Sequence, residues 1–261
     1  MSKEQRDFII KYRLNKLFIL VIQVLIVIIF FGTWEYLSRN NIINSFIFSS
    51  PSKVIDTIYG LYLGGDLFRH IWVTVYETLI AFGIGLVLSI GISILLYMSN
   101  RLYKILDPFL TCLNSLPKVA LGPMIIIIAG ANTKSIIIMA ILINLIVSVV
   151  VITNGFYSTD KTRLKLMKSF KANKYQILKY LVIPSNYKTI ISSFKLGISM
   201  SLIGVITGEF LVSQAGLGYL IIYGTQVFNL DLVTSGILLL VIISYILYKG
   251  VLYIEKILLS I

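Results

Sequence analysis

Long apolar runs alternate with short polar segments along the whole chain, and the runs set the expected architecture. Residues 17–36, 73–99, 102–129, 134–155, 189–212 and 232–254 each form a run of about 20 residues or more, the length a helix needs to cross roughly 30 Å of hydrocarbon. They lack the residue-by-residue alternation of barrel strands. The pattern predicts an all-α fold, a polytopic membrane helix bundle with six transmembrane helices. The first run resembles a signal peptide only superficially: it outlasts a typical h-region, and Trp34-Glu35-Tyr36 follows it where a cleavage site needs small residues. It therefore reads as an uncleaved span. A cytosolic N-terminal segment, 1–16, precedes a single transmembrane domain, 17–261.

Breakers subdivide this scheme. Ser50-Pro51 has the form of a helix start, with serine as cap, proline in the first turn and apolar Val54, Ile55, Ile58 and Leu61 behind it. A short helix outside the hydrocarbon is expected there. In the third run, Pro117 and Pro123 each remove a backbone donor, so that run is expected to be bent or broken and to face protein or water. The segment 213–231 carries no basic residue and contains Gly216, Gly218 and Gly224, which reads as a re-entrant or gate-like connection. Glycines at 83, 85 and 91 mark close helix approach, and Asn144 and Ser148 read as interhelical hydrogen-bonding residues.

A net charge of +12 on 261 residues, 57% of them hydrophobic, raises nucleic-acid binding as a function class. The basic residues lie between apolar spans and not in a patch interleaved with stacking aromatics, so no nucleic-acid partner is expected. Their distribution follows the positive-inside rule: lysines and arginines crowd residues 3–16, 101–104, 161–188 and 249–256, against Arg39, Lys53, Arg69 and Lys134 in the alternate segments. Both termini then lie in the cytoplasm of a bacterial-type cell.

Candidate chemistry is sparse. No Gly-x-x-x-x-Gly-Lys-Ser/Thr loop occurs, so ATP hydrolysis has no place on this chain, and neither a metal cluster nor a Ser-His-Asp arrangement is visible. Cys112 reads as a packing residue and His70 as an interfacial one. Glu77 sits near a span end, where snorkelling is the expected behaviour. Lys118 is taken as a snorkelling helix-end lysine, with attraction of an anion to a permeation route as the alternative. Glu209 lies deep enough that it is expected to face the bundle interior or an outer mouth.

The most informative stretch is 160–184. Behind a cap at Thr159-Asp160, apolar Leu164, Met167, Phe170, Tyr175, Leu178 and Leu181 recur at about helical spacing among lysines. The pattern predicts one adhesive face on a solvated segment, suited to a partner's cleft or to anionic lipid.

The run KLMKSFKANKYQILKYLVIP, followed by SFKLGISMSLIGVITGEFLVSQAGLGYLI, resembles the EAA loop and following span of permease subunits in binding-protein-dependent ABC importers, the nitrate/sulfonate/taurine branch in particular. Ala172 and Pro184 keep the family pattern, while Lys165-Leu166-Met167 and Lys171 stand at its acidic, small and glycine positions. The segment 114–123 is similar to the family's Ser-x-Pro-x-x-Ala-x-x-Pro pattern, and Glu77 occupies a position where the family commonly has arginine. The likeness extends from about Trp34 to the C-terminus.

It implies a type I ABC importer permease. Two ATPase subunits, which carry ATP and Mg, would bind the loop through Met167, Phe170, Ala172 and Leu178, with Pro184 fixing the exit into the membrane. A second permease copy and an extracytoplasmic substrate-binding protein complete the expected partners, in a lipid bilayer. Pro117, Lys118, Glu209, Gly216 and Gly218 are the candidate pathway or gate residues. The implied substrate is a small anion or organic solute such as nitrate, an alkylsulfonate, taurine or a pyrimidine vitamin precursor. An ion-gradient-driven secondary transporter, with Glu77, Lys118 and Glu209 as its intramembrane ionisable residues, is the competing reading, and a structural anchor for a cytosolic partner a third.

Overall fold

A computed structural model describes the backbone of residues 3–259 and the side chains of residues 11–259. Residues 1–2 and 260–261, the ends of the two sequence-defined segments, lie outside the described residues. The described chain is entirely helical. It runs α1 (Lys3–Arg39), α2 (Ser45–Phe48), α3 (Pro51–Leu63), α4 (Asp66–Met98), α5 (Asn100–Ser115), α6 (Gly122–Ala129), α7 (Thr133–Tyr157), α8 (Lys161–Ser169), α9 (Lys174–Ile177), α10 (Ile183–Ser185), α11 (Tyr187–Val212), α12 (Leu217–Gln226) and α13 (Leu230–Leu259). Five of these are long and apolar enough to cross a membrane, and α5 with α6 makes a sixth if the bent pair counts as one span.

The central packing is α7 against α4 and α11. Its logic inverts that of a water-soluble bundle, because lipid already solvates the apolar side chains and close backbone approach must supply the attraction. The buried face of α4 is a seam of small and polar residues: His70, Thr74, Glu77, Thr78, Ala81, Gly85, Ser89 and Ser93. On α11 the seam is Ser193, Gly197, Ser201, Gly204 and Gly208. A Cβ on Gly204 would stand 2.5 Å from the Ala140 Cα of α7, so only glycine permits this approach. Val87 and Leu95, on the other face of α4, are exposed.

The third apolar run is not one helix. Leu116 is extended (φ −69°, ψ 142°), as the residue before a proline prefers, and Pro117 opens a single 3-10 turn, Lys118–Leu121. Across this break the axes of α5 and of the stretch Lys118–Ala129 differ by 99°. Pro123 sits in the first turn of α6, where its missing N–H costs nothing, so it starts a helix and does not kink one. Pro108 lies inside α5 without ending it. Cys112 is on the exposed surface of α5 and is not a packing residue.

The helix expected after Ser50 is α3, with the Ser50 hydroxyl accepting from the Lys53 N–H at 3.3 Å. The segment 213–231 is more regular than its glycines imply, since ten of its residues form α12. Helix α1 stands apart. Among its described side chains, those at the C-terminal end tie it down: Ser38 Oγ donates to Ser49 O (2.9 Å) and the Glu35 carboxylate accepts from the Ser52 N–H (3.1 Å) and hydroxyl (3.0 Å).

Candidate functional site

Helix α11 ends at Val212, and the chain turns through Ser213 and Ala215 to Gly216, whose φ of +119° is open to glycine and strained for other residues. Three consecutive backbone donors then point into the bundle. The Gly216 N–H donates to His70 Nδ1 (3.0 Å), the Leu217 N–H to Thr74 Oγ1 (2.8 Å) and the Gly218 N–H to Glu209 Oε2 (2.6 Å). Thr74 Oγ1 in turn donates to Glu209 Oε1 at 2.6 Å. These are the orphan donors of the α12 N-terminus, and a buried carboxylate is well placed against them by charge-assisted bonding and the helix dipole. A Cβ on Gly216 or Gly218 would collide with the Glu209 carboxyl group. Both glycines are thus required by Glu209, and three of the five candidate pathway or gate residues, Glu209, Gly216 and Gly218, meet in one cluster.

Two residues that the sequence places at an interface belong to this cluster instead. His70 is 6% exposed and stacks on Tyr219 with ring centroids 5.8 Å apart. Because Nδ1 accepts a hydrogen bond, the imidazole is neutral there, with its proton on Nε2. Glu77 does not snorkel: it is 1% exposed, one turn along α4 from Thr74, and neither carboxyl oxygen has a hydrogen-bond partner. Asn144 corrects another expectation. Its Oδ1 accepts from Ser148 on the same helix (2.8 Å), and the side chain sits in the notches left by Gly85 and Gly197 of the flanking helices.

Pro117 and Lys118 are not joined to the cluster by any hydrogen bond. Pro117 is exposed at the α5–α6 break, and Lys118 Nζ donates to Asn114 O one turn back (2.9 Å). What the sequence reading missed is Lys195, eight residues into α11, whose ammonium lies 3.0 Å from Glu255 Oε1 on α13. Its signal was a lone lysine inside an apolar run.

The basic loop lies at the opposite end of α11, a helix of 26 residues and so roughly 39 Å long. Asp160 caps α8 by accepting from the Thr162 N–H at 2.7 Å. The helix stops in a Schellman turn: the Lys171 N–H donates to Lys168 O (2.9 Å) and the Ala172 N–H to Met167 O (3.1 Å), with Lys171 left-handed at φ +58°. A second start follows at Asn173, in a capping box with Gln176. The apolar stripe is therefore split, not presented on one face. Leu178 (3% exposed) is packed with Tyr97, Ile152, Phe156, Ile177 and Val182, and Leu164, Met167 and Ala172 cover that cluster. Phe170, at 74%, is exposed. Pro184 follows a wide π turn, Leu178–Val182, which accommodates a residue that cannot donate to the preceding turn. Of the five loop candidates, Phe170 and Pro184 are exposed on this chain, and Leu178 is closed to any partner.

A helix bundle with a glycine-serine seam, a proline-broken helix and a basic loop folded against the bundle end defines a polytopic membrane protein. The comparisons with known proteins agree. Residues 85–258 match the family model described as binding-protein-dependent transport system inner membrane component. A probable ABC transporter permease protein of Haemophilus influenzae is 27% identical over 89% of this chain and 92% of its own length. A putative aliphatic sulfonates transport permease protein of Bacillus subtilis is 23% identical over 81% of this chain and 76% of its own. Among solved structures, an inward-facing form of the MetNI methionine ABC transporter superposes with a TM-score of 0.63 at 17% identity, covering 75% of this chain and 97% of that one. The chain belongs to the binding-protein-dependent transport system inner membrane component family and is the permease subunit of an ABC importer, with ATP hydrolysis on a separate subunit.

Proposed function

We propose that this chain pairs with a second copy to enclose the pathway for a small organic anion or related solute, both termini in the cytoplasm. Two ATPase subunits dock at 160–184, and an extracytoplasmic binding protein delivers the solute at the Gly216–Gly218 end. The observation that carries the docking surface is the exposed Phe170 at the tip of α8, on a loop that Leu164, Met167, Ala172 and Leu178 brace against α4 and α7 while Leu166, Tyr175 and Tyr180 stay exposed. Force applied at Phe170 would pass through Met167 and Leu178 to the ends of both helices, and rigid-body rocking of the bundle would follow. The sulfonate class rests on the Bacillus subtilis relative. Selection among solutes belongs largely to the external protein.

The test is co-purification of the affinity-tagged permease from its native membranes in mild detergent. Wild type is expected to retain a P-loop ATPase. Phe170→Asp is expected to lose it at unchanged permease yield and thermal midpoint, since that side chain packs on little of its own chain. Retention of the ATPase by this variant sinks the docking surface.

A further inference from the structure

Where the basic loop folds back on the bundle, it leaves a cleft of about 440 Å³ between α8, α9 and the neighbouring ends of α4 and α7. That is the size of a small-ligand site. Its floor is apolar and fixed: Tyr97, Phe156 and Ile177 are buried there in the cluster that also holds Leu178. The Tyr157 ring packs against Tyr97 (centroids 5.7 Å apart) and stacks on Tyr103 (4.1 Å). The rim is polar and carries one sign of charge. Lys168 reaches it from α8 and Lys174 from the start of α9, and no carboxylate of the described residues lines the cleft. The ion pairs of the described residues, Arg39–Glu35, Arg163–Asp160 and Lys195–Glu255, leave both lysines out. Lys174 is held in place: its Nζ donates to Asn100 Oδ1 (3.4 Å) and lies 5.9 Å from the centre of the Tyr97 ring. With that oxygen engaged, Asn100 presents its N–H₂ group as a further donor at the cleft wall. Two ammonium groups that share a cleft repel one another, and an anion placed between them turns the repulsion into attraction.

We propose that this cleft is a phosphate-binding site, in which Lys168 and Lys174 hold a phosphate group above the tyrosine floor and so pin the tip of α8 to the ends of α4 and α7. A phosphate offers several acceptor oxygens to donors that converge from different elements, which suits two lysines and the Asn100 amide. Two sources carry that group. One is the headgroup of an anionic phospholipid, since α4 ends at Met98 and α7 at Tyr157, so the cleft lies where these spans leave the hydrocarbon. The other is a phosphate ion or ester from solution. Either way the consequence is mechanical: Lys168 stands two residues before Phe170, and an occupied cleft fixes the direction in which that exposed ring is presented.

The experiment reads the loop directly and needs no transport. The full-length chain is placed in nanodiscs of phosphatidylcholine alone, of phosphatidylcholine with phosphatidylglycerol, and of phosphatidylcholine with inorganic phosphate in the buffer. Amide exchange across residues 164–177 is then followed. Saturating ligand should slow it by about tenfold, the protection expected when only the closed form binds. Slowing by phosphatidylglycerol alone assigns the phosphate to lipid, and slowing by inorganic phosphate assigns it to solution. Lys168→Gln with Lys174→Gln should abolish the response and keep the thermal midpoint in pure phosphatidylcholine, since both side chains are exposed. Arginine at both positions should preserve it. Lys161→Gln with Lys165→Gln removes the same charge from exposed positions outside the cleft and should also preserve it. No slowing with either ligand overturns the proposal. So does a response lost equally in the 161/165 pair, because the lysines then act as a diffuse surface charge and not as a site. The chain is measured here with lipid alone, so failure of the ATPase to co-purify leaves the proposal untouched.

Discussion

Gly216 carries two constraints at once, a left-handed φ and the space that the Glu209 carboxyl group fills. Gly216→Ala is therefore expected to lower stability by about 2–4 kcal/mol, the sum of an unfavourable backbone and an overpacked core. The thermal midpoint of the detergent-solubilised chain measures it. Thr74→Val keeps the shape and removes both the donor to Glu209 and the acceptor for the Leu217 N–H, at a cost of about 2–3 kcal/mol. Lys171 offers the opposite sign. It adopts φ +58° at the position where the resemblance has glycine, so Lys171→Gly should steady the Schellman turn by about 1 kcal/mol. Amide exchange across residues 164–172 should then slow by about fivefold. Glycines at 216 and 218 were readable as part of a re-entrant or gate-like connection; that Glu209 is what requires them was not, because residues 70, 74 and 209 meet only in the folded bundle.

At the level of elements, the spans were legible because a length of apolar sequence is a direct physical measure of a bilayer. Faces were harder. In lipid the buried side of a helix is marked by small and polar residues, so the spacing of His70, Thr74, Glu77 and Ala81 carried the α4 packing face while looking like scattered exceptions to an apolar run. The loop misled for the converse reason: helical spacing of Leu164, Met167 and Leu178 shows that these residues need cover, and their own chain supplies it at α4 and α7. Lys195 went unremarked within its apolar run, although the fold places it 3.0 Å from Glu255, between α11 and α13. Both are mostly covered, so Glu255→Gln is expected to cost about 1–3 kcal/mol by stranding the lysine. The double exchange Lys195→Glu with Glu255→Lys should recover most of that loss. Equal loss in the exchange and the single variant would show that the two positions act by packing and not as a pair.

On the scale of the whole molecule, stability is concentrated where α4, α7 and α11 meet, and α1 contributes little to it. The apolar side chains of α1 from Leu17 to Phe30 are exposed on this chain, and its ties among the described side chains lie at Trp34, Glu35 and Ser38, where it meets the segment 48–52. In a bilayer those side chains rest on lipid, which is as apolar as leucine, so trimming one removes no packing contact within the chain. Leu20→Ala is accordingly expected to leave the thermal midpoint unchanged to within about 0.5 kcal/mol. Ile152→Ala, at a side chain with no exposed surface between Tyr97, Phe156 and Leu178, should cost about 2–5 kcal/mol by opening a cavity. The two variants measured together in lipid nanodiscs at matched permease concentration separate a helix held by lipid from one held by protein. If Leu20→Ala costs as much as Ile152→Ala, α1 is packed on something outside its own chain. In a sample of this chain and lipid alone, that can only be a second copy, which would make the dimer and not the single bundle the unit whose stability is being read.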